Sequence, residues 1–257
     1  MKVRQLRVAV AGATGRMGRA VIRLAAEHHC TIVGALAAPA DAGKELEGLR
    51  VTADPAVAIE NAEVVIDFSH PAALAPLADA CAARAIPLVT GTTNLGDPEA
   101  RAIEALSRVA PVLSAPNMSL GVQVLAEVVE MTARRLGLSF DVEIVETHHN
   151  RKIDAPSGTA RRLFEAVQNA IDGNGVAVNG REGDVGARKK GEIGMHAVRG
   201  GDVVGDHTVM FLGQGERIEL THKATSRDLF AHGALRAARF LAGRAPGRYQ
   251  IRDLLGA

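Results

Sequence analysis

The stretch VAVAGATGRMGRAV, residues 8–21, constrains this chain more than any other, because it sets Gly12, Gly15 and Gly18 between an apolar β-branched run and a helical pattern. Strand, glycine turn and helix in that order open a dinucleotide-binding βαβ unit. The first glycine reverses the chain, the second lets backbone N–H groups approach a pyrophosphate, and the third lets helix and strand pack closely. The helix start adds positive potential where the phosphates would lie. Thr14 stands where the full GxGxxG pattern has its second glycine, and no GK[ST] follows, so the loop is not a Walker A loop.

The rest of the first 117 residues repeats the alternation. Strands are predicted at Arg7–Ala11, Thr31–Leu36, Val64–Phe68, Pro87–Val89 and Val112–Leu113, with helices near Arg16–Glu27, Pro71–Arg84 and Pro98–Val109. Short connections between such elements imply an α/β fold, a Rossmann-like doubly wound parallel sheet. From Ser119 the pattern changes to one long helix ending at Gly137 and the strand-like FDVEIVETHH. A helix near Thr159–Ile171 follows, then alternating runs in Gly194–Val198, Val203–Phe211 and Arg217–His222. Strands in succession without intervening helices imply an α+β unit with a mixed or antiparallel sheet. The expected division is a dinucleotide-binding domain at 1–117, completed by a C-terminal helix within 229–257, and a second domain at 118–228. The RKKGE clump at Arg188–Glu192 reads as a solvated loop.

In open parallel sheets ligands sit outside the carboxyl ends of the strands. That rule selects the loop Gly12, Ala13, Thr14, Gly15, Arg16 and Met17, the turn Gly91, Thr92 and Thr93, and the turn Ala115, Pro116, Asn117 and Met118 as cofactor-binding candidates. An acidic residue at the end of the second strand would accept the ribose hydroxyls of NAD. Here Ala37, Ala38 and Pro39 occupy that place and Asp41 lies further on, so NADH and NADPH both stay open.

Composition removes several classes of partner. A formal charge of +1 and 3% aromatic residues, with no Trp and a single Tyr, give neither the field nor the stacking surface for nucleic acid, nor an interfacial aromatic belt. No run reaches the roughly 18 apolar residues of a membrane span. Cys30 and Cys81 lack a CxxC partner and read as buried, reduced thiols, and the setting expected is cytoplasmic. Tyr249 has Asp253 rather than Lys four positions on, which excludes the short-chain dehydrogenase pattern.

The segment ETHHNRKIDAPSGTA, residues 146–160, gathers His148, His149, Arg151 and Lys152 ahead of a PSGT turn that opens a helix. Cations beside a helix start suit a small anion. On a strand His148 and His149 point to opposite faces, and no third ligand has the spacing for a metal, so none is expected. Ser157 reads as a helix cap, since PSGT is not GxSxG, and Thr159 as a hydroxyl donor beside the Gly158 N–H. Glu143 and Glu146 read as strand residues with an orienting or a merely solvated role.

Taken with AGATGRMG, IDFS at Ile66–Ser69, GTT, APNMSLGV at Ala115–Val122 and VRGGDVVGDHTVMF at Val198–Phe211, this segment resembles the bacterial 4-hydroxy-tetrahydrodipicolinate (dihydrodipicolinate) reductases of the diaminopimelate route to lysine. The resemblance spans essentially the whole chain. It implies His148 as acid–base residue, Lys152 as proton donor, and His149, Gly158 and Thr159 as holders of a small dicarboxylate substrate. It also implies NADH or NADPH on the three turns named above, and a homotetramer formed through the sheet of the second, substrate-binding and oligomerisation domain. The family commonly has an acidic residue where this chain has Ala38, so cofactor preference does not carry over. Two other readings share the architecture, an imine-forming amino-acid dehydrogenase and a catalytically silent nucleotide sensor. The paired histidines before KIDAPSGT disfavour the first, and intact His148, Lys152 and Thr159 the second.

Overall fold

The apolar run before the glycine turn is β1 (Leu6–Ala11), and in the computed structural model, which describes residues 4–256, it stands inside a sheet rather than at its edge. Val8 and Val10 face one side while Ala9 and Ala11 face the other, and all four are buried, as a strand covered on both faces requires. The chain continues through α1 (Arg16–Leu24), β2 (Cys30–Leu36), β3 (Glu45–Leu46), β4 (Leu49–Thr52), α2 (Pro55–Ala58), β5 (Val64–Asp67) and α3 (Pro71–Ala83). Next come β6 (Leu88–Thr90), α4 (Asp97–Ser107) and β7 (Pro111–Ser114).

These elements form one of two compact units, which runs to Leu120 and resumes at Asp228; the other is Gly121–Arg227. The second unit holds α5 (Leu120–Leu136, its first residue excepted), β8 (Asp141–His148), α6 (Gly158–Ala170), β9 (Val176–Asn179), β10 (Glu192–Arg199), β11 (Gly205–Leu212) and β12 (Arg217–Ala224). The chain then gives α7 (Asp228–Leu241) and β13 (Gly247–Tyr249) back to the first unit.

The first unit's eight-stranded sheet has the order β13-β7-β6-β5-β1-β2-β4-β3, parallel except for the β3–β4 pair. From β1 the order runs to β2 on one side and β5 on the other, which makes the ends of these three strands the switch-point crevice. One face is covered by α1 and α7, whose Val21, Leu235 and Leu241 are fully buried; the opposite face is covered by α3 and α4 through Leu74, Leu77 and Leu106. Each such leucine stabilises the fold by about 1.5–3 kcal/mol through the apolar surface it removes from water. α3 starts on Pro71 with His70 as its cap, the imidazole accepting from the Ala72 N–H. Cys30 and Cys81 are buried free thiols, and burial pushes the Cys81 thiol up to about 12.

The second unit's sheet is mixed, in the order β12-β11-β8-β10-β9, with β8 antiparallel to β11 and parallel to β10. Its core is one-sided. Val142 and Ile144 of β8 and Val209 and Phe211 of β11 pack with Val129 of α5 and Leu163 of α6. Period-2 alternation then places Glu146 and His148 on that helix-covered face.

The RKKGE clump is not a solvated loop throughout. Arg188 turns inward, its Nε donating to Glu143 at 3.1 Å and its Nη1 to Asp141 at 2.8 Å. Glu143 also takes two bonds from Arg181 and one from His196. The glycine-dense segment is thereby clamped to β8 by charge-assisted hydrogen bonds at a half-buried site.

Candidate active site

The glycine loop closes on its own backbone. The Gly15 N–H donates to the Gly12 carbonyl at 2.9 Å, and the Ala13 N–H donates to Leu36 of β2 at 3.0 Å. Gly12 has φ +73°, and a Cβ there would lie 2.4 Å from the Phe68 carbonyl oxygen, so no other residue fits this turn. Gly15, the residue before α1, has no side chain to cap the helix, and the first turn contains no acid. A helix start left in that state is suited to a phosphate. Beside it lies a cavity of about 410 Å³ lined by Gly12, Thr14 and Gly15 together with the end of β2, Leu36 to Pro39, and by Phe68 and His70. Its walls carry no carboxylate. Asp41, placed beyond reach by the linear sequence, folds back so that Thr14 Oγ1 donates to its Oδ2 at 2.7 Å.

The other two predicted turns are held by a residue that sequence reasoning left without a role. Asp67, fully buried at the end of β5, accepts from Thr90 Oγ1 and Thr92 Oγ1, both at 2.7 Å, and from the Ser69 N–H at 3.0 Å. The Ala115 N–H donates to the Thr90 carbonyl at 3.0 Å. IDFS and GTT are thus one structure. The Thr92 hydroxyl is committed to Asp67, and Ala13, Ala115 and Met118 are buried, so these positions present backbone rather than side chain. Gly91 and Thr93 flank Thr92, Pro116 and Asn117 flank the buried pair of the last turn, and Arg16 is exposed at the start of α1. The residues present fit a dinucleotide: a bare helix start, a glycine turn and a cavity at the switch point.

In the second unit the conspicuous group is Glu146. Buried on β8, its Oε2 is met by His148 Nδ1 and by Arg199 Nη1 at 2.8 Å; its Oε1 accepts from Arg199 Nη2 at 2.8 Å and from the Ser157 N–H at 3.0 Å. Burial pushes the Glu146 carboxyl up, but the bonds from Arg199 and His148 outweigh it and hold it below the ordinary range. His207, opposite Glu146 in the β8–β11 register, stands edge-on to His148 with ring centroids 5.1 Å apart. Its Nε2 lies 3.1 Å from Ser157 Oγ, and burial, with the charge of His148, pushes it down to about 4. It is neutral throughout the physiological range.

Ser157 caps α6, its Oγ accepting from the Ala160 N–H at 3.1 Å, as the PSGT reading expects. Gly158 is exposed and Thr159 half-buried at that helix start. Lys152 Nζ donates to Asp154 at 2.7 Å. His149 is pulled below its ordinary value, first by burial and then by the positive charges of Arg227, Arg151, His148 and Lys152. Four cationic or protonatable groups therefore act on one imidazole. Glu146, Arg199, His207 and Arg227 received no firm role from the sequence; VRGG and GDHT carried the signal for two of them. Among the described residues no group of three or more His, Cys, Asp or Glu side chains is gathered as a metal site.

A glycine loop and bare helix start at a parallel sheet's switch point, in a chain that also carries a carboxylate-held histidine beside a cationic helix start, define an oxidoreductase of the nicotinamide-nucleotide class. Residues 6–118 match the family described as dihydrodipicolinate reductase, N-terminus, and residues 121–255 the one described as dihydrodipicolinate reductase, C-terminus. The chain is 47% identical over 263 residues to the 4-hydroxy-tetrahydrodipicolinate reductase of Thiobacillus denitrificans, covering 98% of each. It is 46% identical to that of Geobacter sulfurreducens, covering 97% of this chain and 98% of the relative. Among solved structures it is similar in fold to dipicolinate-bound dihydrodipicolinate reductase from Paenisporosarcina sp. TG-14, with a TM-score of 0.74 at 21% identity over 96% of this chain and 97% of that one. The chain belongs to the dihydrodipicolinate reductase family.

Proposed function

We propose that this protein reduces 4-hydroxy-2,3,4,5-tetrahydrodipicolinate to tetrahydrodipicolinate with loss of water, in the diaminopimelate route to lysine, using NADH or NADPH. The observation that carries the reading is the positive charge of Arg227, Arg151 and Lys152 acting on His149, in the unit whose α6 presents its capped N-terminal turn, which suits a small dicarboxylate. The dipicolinate named in the related structure is such a molecule. His149, Gly158 and Thr159 hold the substrate's carboxylates. Lys152, an ammonium paired with an exposed carboxylate, gives up a proton, and His148 serves as acid–base residue.

The first unit supplies the nucleotide site through Gly12–Met17, Gly91–Thr93 and Ala115–Met118. A bound nicotinamide nucleotide supplies the hydride that reduces the conjugated imine left when the 4-hydroxyl departs as water, and the neighbouring carbon takes the proton. No carboxylate lines the cavity at the end of β2 to bond a ribose hydroxyl directly, which leaves both nucleotides open; the nearest acid, Asp41, reaches the glycine loop only through Thr14.

The second unit also serves oligomerisation. The sheet face turned away from α5 and α6 carries Val145, Val198, Met210 and Leu212, none of them buried, and a homotetramer formed through this face would cover them. Among the described residues no helix is long and apolar enough to cross a membrane, and two free thiols fit a cytoplasmic setting.

The test is to follow loss of reduced-nicotinamide absorbance with substrate generated in situ, using each nucleotide in turn. Wild-type protein should turn over, and Lys152→Ala or His148→Ala should lose about 10²–10⁴-fold in kcat, as for a lost proton-transfer group, with cofactor affinity kept. Full activity in both variants would overturn the roles, and no turnover with either nucleotide would overturn the reaction.

A further inference from the structure

Glu146 has more partners than an acid that merely neutralises Arg199 requires. A carboxylate can only accept, so the His148 nitrogen facing it, Nδ1, carries the proton, and in the neutral ring Nε2 is then the lone-pair nitrogen. The other oxygen of the same carboxylate takes the N–H of Ser157, the residue that caps α6. One side chain therefore ties the imidazole to the helix start assigned to the substrate's carboxylates. Arg199, opposite His148 in the β8–β10 register, holds both oxygens in a bidentate fork and so fixes the plane of the carboxylate.

Gly205 borders the far side of the ring. A Cβ on Gly205 would sit 2.9 Å from His148 Nε2, so the absence of a side chain there leaves that nitrogen its space. His207 packs edge-on against the ring and bonds Ser157 Oγ, a second tie from the sheet to the same helix start. Glu143, by contrast, is occupied by arginines of the glycine-dense segment and by His196, and touches neither His148 nor α6.

We propose that Glu146 is a positioning residue: it fixes His148 in the Nδ1–H tautomer, presents Nε2 as the proton-exchanging atom, and holds the start of α6 in register with it. This rests on the assignment of His148 as acid–base residue, and the tautomer can be measured without any turnover. In full-length protein labelled with ¹⁵N-histidine, long-range ¹H–¹⁵N spectra at neutral pH should show His148, assigned by its loss in His148→Gln, with its proton on Nδ1. In Glu146→Gln the amide NH₂ faces Nδ1 as a donor and moves the proton to Nε2. There kcat should fall about 10²–10⁴-fold, as when a triad loses its correct tautomer, and KM for the dicarboxylate should rise several-fold as α6 loosens. Glu146→Asp should recover part of kcat.

An Nε2–H ring in the wild-type protein overturns the proposal even if Glu146→Gln fails to fold. So does a folded Glu146→Gln protein with unchanged tautomer and kcat. A fully active His148→Ala protein would instead defeat the role given to His148, a result distinguishable from either of these.

Discussion

Thr14 Oγ1 donates to Asp41 Oδ2 at 2.7 Å, so a carboxylate absent from the end of β2 is returned to the glycine loop from the segment that follows. Hydrogen bonds from Lys44 and then Thr14 hold the Asp41 carboxyl below its ordinary range. A negative charge one side chain away from the loop disfavours the extra phosphate of NADPH more than the hydroxyl of NADH. Asp41→Asn should therefore move the ratio of kcat/KM for NADPH over NADH upward by several-fold, measured with both nucleotides at low ionic strength. An unchanged ratio would show that Asp41 only braces the loop.

Asp67 makes a different prediction, because its three donors come from two loops. Asp67→Ala strands the hydroxyls of Thr90 and Thr92 and the Ser69 N–H in a buried site. The loss should be about 2–4 kcal/mol, from leaving buried donors unpaired. In a chain of this size that lowers Tm by about 4–16 °C. Because the same carboxylate joins the turns after β5 and β6, KM for the nucleotide should rise more than KM for the dicarboxylate. Equal effects on both would argue that Asp67 acts on stability alone.

The parts of the fold legible in the sequence were those in which local chemistry and burial agree. β1, β2 and β5 are apolar on both faces, and α3 opens on a proline, so runs and punctuation placed them within a residue or two. The strands left unread are short and lie at or near sheet edges. β3 and β4 are joined by Glu47 and Gly48, both at positive φ, in a hairpin too small to show a period. β13 pairs with β7 from the far end of the chain. The site divides along the same line. The glycine loop and the Ser157 cap are local and were readable, whereas Glu146 meets Arg199 across 53 residues and Asp67 meets Thr90 across 23, distances at which a single sequence holds no pairing signal. Arg188, in a charged glycine-rich run, looked solvated for the same reason.

His207 ties stability to pH. Burial, with the nearby charge of His148, lowers it from an ordinary 6.5 to about 4, so the unfolded chain binds a proton that the folded chain refuses. Stability from this group is complete above pH 6.5 and is lost as pH falls from there toward 4, by about 3 kcal/mol at the lower end, at 1.36 kcal/mol per pH unit. His207→Gln keeps a hydrogen-bonding group beside Ser157 and removes the titration. Denaturant unfolding between pH 7 and 4 should show the variant less stable than wild type at neutral pH and the gap closing as the solution is acidified. Parallel curves would mean that His207 does not titrate in this range.

Gly205 offers a variant that disturbs the ring without touching any charge. Its backbone is ordinary for β11, so Ala is accommodated by the strand, but the added methyl would lie 2.9 Å from His148 Nε2 and 3.5 Å from His207 Cε1. The first distance is shorter than any real Cβ contact, and His148 is held from behind by Glu146, so the ring must tilt. A displaced acid–base group costs rate before it costs stability, because reacting atoms must lie within a few tenths of an ångström of the productive geometry. Gly205→Ala should lower kcat by about 10–10²-fold, on the scale of an ångström-sized misplacement, while nucleotide affinity stays that of wild type. Steady-state kinetics beside a nucleotide titration would separate the two quantities, and a variant with wild-type kcat would show that His148 Nε2 does not need the space above Gly205.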